Sequence, residues 1–426
     1  MIRWVENIQI AKNGQKVFLI NCFEGTWLRI HEDAIEDCNN HLIGRRNKEQ
    51  IQQNFVDLYE ILIKYRMITD DTEDLQHFSR ANTIYFLLTL QCNMECDFCC
   101  ICASPKKNSI NLEKEVLVKF IDEMAKTKIK KVILTGGEPL LYENIDFLVT
   151  ELRKKMKSTL QICTNGLLIN DANINIFSKI DLVDISVENL FCKPQEYEIN
   201  KLTKKINILK ELNIGICLSY VVTEYNGEMI YKFIDYAYAN DVRISTKIVL
   251  PIGRAETNAD ILVSEENAYK LMVSIYKYIY INKYFNDNMK EFLFPTGVPE
   301  KQCAASGKIL SVYPDGNVYS CFLLNKDPYC LGNIKKESLQ EIIINNRCKN
   351  ETEFYKSCFD KDRKEICRDC EVRYFCEGNC SGISSNKNVM CEFNKKYFSF
   401  YMWYYSESNS LEKNLKDFLN YVGSNA

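Results

Sequence analysis

The sequence predicts an α/β protein whose centre is a parallel sheet, open or curled into a partial barrel. A small unit precedes that sheet and a cysteine-rich unit follows it. Three observations carry the prediction. From Thr83 onward, short apolar runs alternate with stretches whose apolar residues recur at helical spacing. From Cys303 that regularity fades while cysteines accumulate. The length of 426 residues is too great for one ordinary core and suits a large domain with one or two small ones. Hydrophobic residues at 46%, charged residues at 26%, and only 16 Gly and 8 Pro exclude a disordered or fibrous chain.

The elements follow in order. Residues 1–80 form a block of their own, in which Val17-Phe18-Leu19-Ile20 and Trp27-Leu28-Arg29-Ile30 read as short strands. Residues 51–67 carry apolar side chains at helical spacing. The acidic stretch from Asp70 to Asp74 reads as a linker. Strands are expected at 85–90, 131–135, 160–164, 182–187, 214–222 and 243–250, with helices at 112–126, 145–156, 197–212 and 229–238. Six strands with helices between them imply parallel pairing, and such sheets place chemistry at the carboxyl ends of their strands. Pro314-Asp315-Gly316, flanked by Val312-Tyr313 and Val318-Tyr319, signals a small hairpin. Helical patterns at 392–405 and 411–421 come last. The expected domains are therefore 1–80, 81–284 and 285–426.

A net charge of −3 argues against broad attraction to nucleic acid or an acidic membrane, leaving small molecules or peptides as partners. The longest apolar run, residues 84–90 with their flanks, is too short to span a bilayer. Met1-Ile2-Arg3-Trp4-Val5-Glu6-Asn7 lacks the apolar core of a secretion signal, so a cytoplasmic protein is expected. There are 20 cysteines against 3 histidines, His31, His41 and His77. A chain this long needs no disulfide staples in a reducing compartment, and so few histidines disfavour His-ligated zinc or haem. Thiolate-bound iron–sulfur or zinc remains.

Directly after the first barrel strand stands Cys92-Asn93-Met94-Glu95-Cys96-Asp97-Phe98-Cys99. Three thiolates at C-x3-C-x2-C spacing can hold three irons of a cubane and leave the fourth iron free for an outside ligand. A structural zinc site needs four closed ligands, and Cys100 or Cys102 would have to supply the fourth. Farther on come Thr135-Gly136-Gly137-Glu138-Pro139, Cys163-Thr164-Asn165-Gly166, Ser186-Val187-Glu188 and Pro251-Ile252-Gly253-Arg254-Ala255, each after a strand. Singly, each reads as an ordinary strand-to-loop turn. Cys303, then Cys321 at the end of a G-x4-C spacing, then Cys367-x2-Cys370-x5-Cys376-x3-Cys380 and Cys391 form a second constellation. On its own, Cys367-x2-Cys370 with Cys376 and Cys380 reads equally as a zinc ribbon.

Together and in this order, over residues 83–260, these motifs resemble the radical S-adenosylmethionine enzymes, which implies a partial (β/α)6, TIM-like barrel. The resemblance implies that Cys92, Cys96 and Cys99 hold a 4Fe–4S cluster with Phe98 beside it. It implies that Gly136, Gly137 and Glu138 meet the methionine amino group of S-adenosylmethionine, and that Asn165, Ser186, Glu188 and Arg254 contact the rest of that cofactor. Glu188 replaces the usual Asp of the S-x-D segment. The later cysteines resemble a SPASM domain with two auxiliary 4Fe–4S clusters, making three in all. Carried over, Cys367, Cys370, Cys376 and Cys391 bind the second auxiliary cluster. Cys303, Cys321 and Cys380 bind the first, whose fourth ligand is Cys330, Cys348 or Cys358, or else a substrate thiolate at an open position. Cys22, Cys38, Cys163, Cys192 and Cys217 read as small buried hydrophobes.

The amino-terminal block resembles the winged-helix recognition domain of peptide maturases, which implies a leader peptide added as a strand near residues 17–20 or 27–30. Sulfatase-maturing relatives place an Asp base directly after the cysteine of G-x4-C; here Phe322 stands there, which removes that base. The resemblance thus implies reductive cleavage of S-adenosylmethionine and hydrogen abstraction by the 5′-deoxyadenosyl radical. The expected product is a thioether, from cysteine sulfur to carbon, in a ribosomally made precursor peptide. The electron donor would be flavodoxin or ferredoxin. Carbon–carbon cross-linking is the runner-up, sulfatase-type oxidation comes third, and a metal-bearing peptide-binding protein is the non-enzymatic alternative. No catalytic residue is assigned from the sequence.

Overall fold

The computed structural model describes residues 1–426 except 7, 70–80, 109, 193–195, 377, 379, 384–387 and 424–426. The acidic stretch at 70–74, His77 and the side chain of Cys192 lie outside the described residues.

The amino-terminal unit carries β1 (Arg3–Trp4), β2 (Gln9–Asn13), β3 (Lys16–Asn21), β4 (Thr26–His31) and β5 (Ile68–Thr69). β2, β3 and β4 form an antiparallel sheet in that order, and β1 pairs with β5. Strand alternation sends Val17 and Leu19 to one face, where they pack with Ile2, Leu42, Leu62 and Met67. Phe18 and Ile20 go to the other face and pack on Phe375, Met402 and Trp403, at the carboxyl-terminal end of the chain. Both faces of β3 are therefore buried, which explains its unbroken apolar run. This corrects one expectation. Residues 17–20 lie in the middle strand, and the sheet's unpaired edges are β2 and β4.

The central sheet contains β6 (Thr83–Leu87), β7 (Lys131–Thr135), β8 (Thr159–Thr164), β9 (Leu182–Ser186), β10 (Gly215–Val222) and β11 (Arg243–Ile248), all parallel and in sequence order. Helices Lys114–Met124, Ile145–Lys155, Glu196–Glu211 and Ile230–Ala239 separate these strands, matching the expected ones within two residues. Val132, Leu134, Ile162, Val183 and Leu218 are fully buried in the large core that these helices share. The opposite face is the inside of a partial barrel and is far more polar. In register there, Cys163 and Cys217 flank Asp184. These two cysteines were expected in the core, but strand alternation turns them inward beside a carboxylate instead. Cys22 and Cys38 are buried as expected.

The sheet does not stop at the expected boundary near residue 284. β12 (Ile309–Val312) pairs parallel to β6, and β13 (Asn317–Tyr319) and β14 (Cys330–Asn333) follow antiparallel, giving a nine-stranded sheet among the described residues. The expected hairpin is β12–β13. Helix Asp287–Leu293 also belongs with the barrel, since its Glu291 pairs with Arg243 of β11. A long helix unforeseen from the sequence, Glu265–Ile281, packs Tyr276 against Phe393 and Phe418 of the last two helices, Cys391–Trp403 and Leu411–Gly423. The cysteine-rich unit is thereby fastened to the barrel on two sides.

Candidate cofactor and cluster site

Beyond β6 the chain runs alongside the turn that follows β7. Leu88 N donates to Thr135 O at 2.9 Å, Gly137 N to Thr89 O at 2.7 Å, and Glu138 N to Gln91 O at 2.9 Å. Only glycine fits this approach. A Cβ on Gly136 (φ 133°) would sit 2.5 Å from Thr89 O, and one on Gly137 would sit 2.1 Å from Gln91 O. The cysteine loop follows at once. Cys99 N donates to Cys96 O at 3.1 Å, and Ala103 N points at Cys99 Sγ at 3.3 Å. Phe98 is half-buried against the barrel core.

Three other strand ends converge on this loop. From the end of β8, Asn165 Nδ2 reaches Asn93 Oδ1 at 2.7 Å and lies 4.0 Å from Cys92 Sγ. After β9, Asn189 Nδ2 lies 4.0 Å from Cys96 Sγ and 3.9 Å from Met94 Sδ. After β11, Arg254 N donates to Cys99 O at 3.2 Å and its Nε to Cys96 O at 2.7 Å. Gly253, at φ 65°, leaves room for Cys99 O, which would stand 2.4 Å from an added Cβ. Arg254 Nη2 is buried without a partner. An orphaned guanidinium donor against a thiol loop is a position that an acceptor group is needed to complete.

The two acidic residues serve as braces. Glu138 is fully buried, and its oxygens accept from Thr164 Oγ1 at 2.7 Å, Asn165 N at 2.9 Å and Leu140 N at 3.1 Å. Burial raises its carboxyl above the ordinary range, against the pull of those donors. Glu188 accepts from Val221 N of β10 at 2.8 Å, and burial pushes it up to about 7. Ser186, by contrast, is exposed at the end of β9, opposite Ser219. Burial, then the charge of Glu188, pushes the Cys96 thiol up to about 11, so holding it as a thiolate requires a cationic partner. Asn189 was missed from sequence. Its only signal was its place one residue after Glu188.

The later cysteines fall into two groups. Cys367, Cys370, Cys376 and Cys391 line one cavity together with Asn388 and Asn394. Gly378 N and Asn394 Nδ2 point at Cys376 Sγ, at 3.3 and 3.4 Å. Such N–H···S contacts orient cluster ligands and tune their charge. In the second group, Cys303 and Cys321 pack on Ala305 and Leu324, and Gly382 N points at Cys380 Sγ at 3.4 Å. Burial, then the charges of Cys303, Cys380 and Cys100, pushes Cys321 up to about 12. Phe322 packs at a tilt of 38° on Tyr85 of β6 with ring centroids 5.2 Å apart, so an aromatic ring stands where a carboxylate base would project. Among the described residues, no three His, Cys, Asp or Glu side chains converge on a single-ion position.

Residues 86–266 match the radical SAM superfamily, and residues 303–371 match SPASM, an iron-sulfur cluster-binding domain. The chain carries a radical SAM domain followed by a SPASM domain. Cys376, Cys380 and Cys391 lie beyond the SPASM match. GTP 3′,8-cyclase of Clostridium perfringens is 30% identical over 196 residues, covering 41% of this chain and 59% of the cyclase. A cysteine-type anaerobic sulfatase-maturating enzyme of Clostridium novyi is 24% identical over 72% of this chain and 91% of its own. Two solved structures share the fold. One is anSMEcpe with bound AdoMet (TM-score 0.59, 19% identity, 80% of this chain and 99% of that one). The other is Streptococcus suis SuiB bound to precursor peptide SuiA (TM-score 0.54, 16% identity, 91% and 98%). The enzyme's two domains imply S-adenosylmethionine and iron–sulfur clusters, and the thiol loop, the close-packed glycines and the orphaned Arg254 donor fit them. No helix among the described residues is long and apolar enough to cross a membrane.

Proposed function

We propose that the enzyme is a peptide maturase that installs a thioether between a cysteine sulfur and a carbon of a precursor peptide. The observation that carries this reading is the convergence of three strand ends on the Cys92/Cys96/Cys99 loop, beside a barrel interior lined with polar side chains. When bound, the cluster and S-adenosylmethionine supply an electron and, through cofactor cleavage, a carbon radical able to abstract hydrogen. The chain's own residues do the rest. Cys92, Cys96 and Cys99 hold the cluster, with Asn165 and Asn189 as amide neighbours of their sulfurs. Gly136 and Gly137 open backbone access for the cofactor, while Glu138 and Glu188 brace the turns that carry Asn165 and Ser186. Arg254 offers its unpaired Nη2. Cys367, Cys370, Cys376 and Cys391 hold one auxiliary cluster, and Cys303, Cys321 and Cys380 contribute to another, for three clusters in total.

A peptide substrate is supported by SuiB, bound to precursor peptide SuiA, and by anSMEcpe, bound to AdoMet and the Cp18Cys peptide, both of this fold. The amino-terminal sheet supplies an edge to which a leader peptide would add as a strand. Phe322, standing where sulfatase maturases carry a base, favours thioether formation, in which a thiolate is the partner. A low-potential flavodoxin or ferredoxin would deliver the electrons.

Incubation with dithionite, S-adenosylmethionine and a cysteine-containing precursor peptide tests the reading. The peptide should lose two hydrogens and one alkylatable thiol, and 5′-deoxyadenosine should appear, with neither change in Cys96→Ala. A product two hydrogens lighter that keeps every thiol would exclude the thioether.

A further inference from the structure

The first auxiliary cluster needs one more ligand than Cys303, Cys321 and Cys380 provide, and the fold brings the backbone of one more cysteine beside them. Residues 301–303 run antiparallel to 359–361. Cys303 N donates to Phe359 O at 2.9 Å, Lys361 N donates to Lys301 O at 3.1 Å, and Gln302 bridges to Asp360 between them. Helix Glu353–Phe359 is thereby held with Cys358 next to the Cys303 backbone. Ser381, the neighbour of Cys380, donates from Oγ to Cys358 O at 2.5 Å, tying the same residue to the third ligand. Cys303, Cys321 and Cys358 all pack against one small apolar cluster of Ala305, Leu324, Tyr329, Tyr355 and Phe359. Cys358 Sγ itself lies 3.8 Å from the Tyr329 hydroxyl of that cluster.

The other cysteines fit less well. Cys348 is exposed on helix Leu339–Asn350. Cys330 lies in β14, its Sγ turned toward Gly332 O at 3.8 Å. Neither belongs to the apolar cluster. Cys100 stands near Cys321 but is carried by the radical loop, immediately after Cys99.

We infer that Cys358 is the fourth ligand of the first auxiliary cluster, alongside Cys303, Cys321 and Cys380. The inference rests on the auxiliary-cluster reading above and narrows it: with four thiolates the cluster is closed, so it relays electrons and does not bind the substrate sulfur.

The test uses the full chain with Cys92, Cys96 and Cys99 replaced by alanine, which isolates the auxiliary clusters at about eight irons. Adding Cys358→Ala should either remove about four irons or change the electron paramagnetic resonance of the reduced protein, while Cys348→Ala and Cys330→Ala change neither. Unchanged iron and spectrum in Cys358→Ala would overturn the inference, as would a changed spectrum in Cys100→Ser with Cys358→Ala silent. Thiol alkylation of the unmutated, cluster-loaded protein guards against misfolding of the variant. Cys358 should resist alkylation until the iron is stripped, with Cys348 reacting in both states; prompt alkylation of Cys358 in the loaded protein would overturn it too. If the triple variant holds no iron at all, the auxiliary-cluster reading itself fails and this inference with it.

Discussion

At residue 137 a single methyl group decides whether the cofactor loop can form, because it would stand 2.1 Å from Gln91 O. Gly137→Ala is therefore expected to lower S-adenosylmethionine affinity about tenfold or more, roughly 1.4 kcal/mol, in equilibrium dialysis of the cluster-loaded protein. Unchanged affinity would mean that the two backbones can part without cost. Glu188 makes a different prediction, about pH. Its folded pKa of about 7 lies above the ordinary carboxylate value near 4.5. The folded state therefore holds the proton through a window in which the unfolded state has released it. The resulting stabilisation is complete below about pH 4.5 and fades as pH rises through about 7, by up to about 3 kcal/mol. Denaturant unfolding of the cluster-free protein between pH 5 and 8 should show this decline in the wild type and a flatter profile in Glu188→Gln; equal slopes would remove it. Much at this scale was legible in the sequence. The cysteine triad, Gly136-Gly137 and Asn165 follow the ends of β6, β7 and β8, the places in the strand order that the sequence pattern implies. What escaped was side-chain aim. Glu138 turns to Thr164 and Asn165, and Asn189 to Cys96, contacts set by the spacing of neighbouring strands.

Among the elements, the amino-terminal sheet offers the sharpest test. The Asn13–Lys16 pair closes the β2–β3 hairpin, so alternation directs the backbone N–H of Ile10 away from β3, and its side chain is 56% exposed. Ile10→Pro would remove that outward donor without breaking the ladder. It should weaken leader-peptide binding about tenfold by fluorescence anisotropy, as expected for lost main-chain pairing, while 5′-deoxyadenosine release without peptide stays constant. Undiminished binding would move the leader to β4 or away from this sheet. The barrel strands and their helices were readable because their periodicity is local. The pairing of β12 with β6 was not, since it joins residues more than two hundred positions apart. Helix Leu339–Asn350 did carry a local sign that the cysteine-rich stretch obscured: a capping box formed by Ser338 and Glu341.

Across the whole molecule, one sheet runs from the barrel into the cysteine-rich unit, and the amino-terminal sheet packs on the far end of that unit. The expected split into three separate domains underestimates this continuity, because composition shifts mark where sequence style changes and not where packing ends. All of this depends on the cluster held by Cys92, Cys96 and Cys99 having an iron free for S-adenosylmethionine. The most direct measurement is electron paramagnetic resonance of the dithionite-reduced, anaerobically prepared enzyme before and after S-adenosylmethionine is added. The account predicts a shifted signal that disappears in Cys96→Ala; a cluster signal that the cofactor leaves unmoved would contradict it.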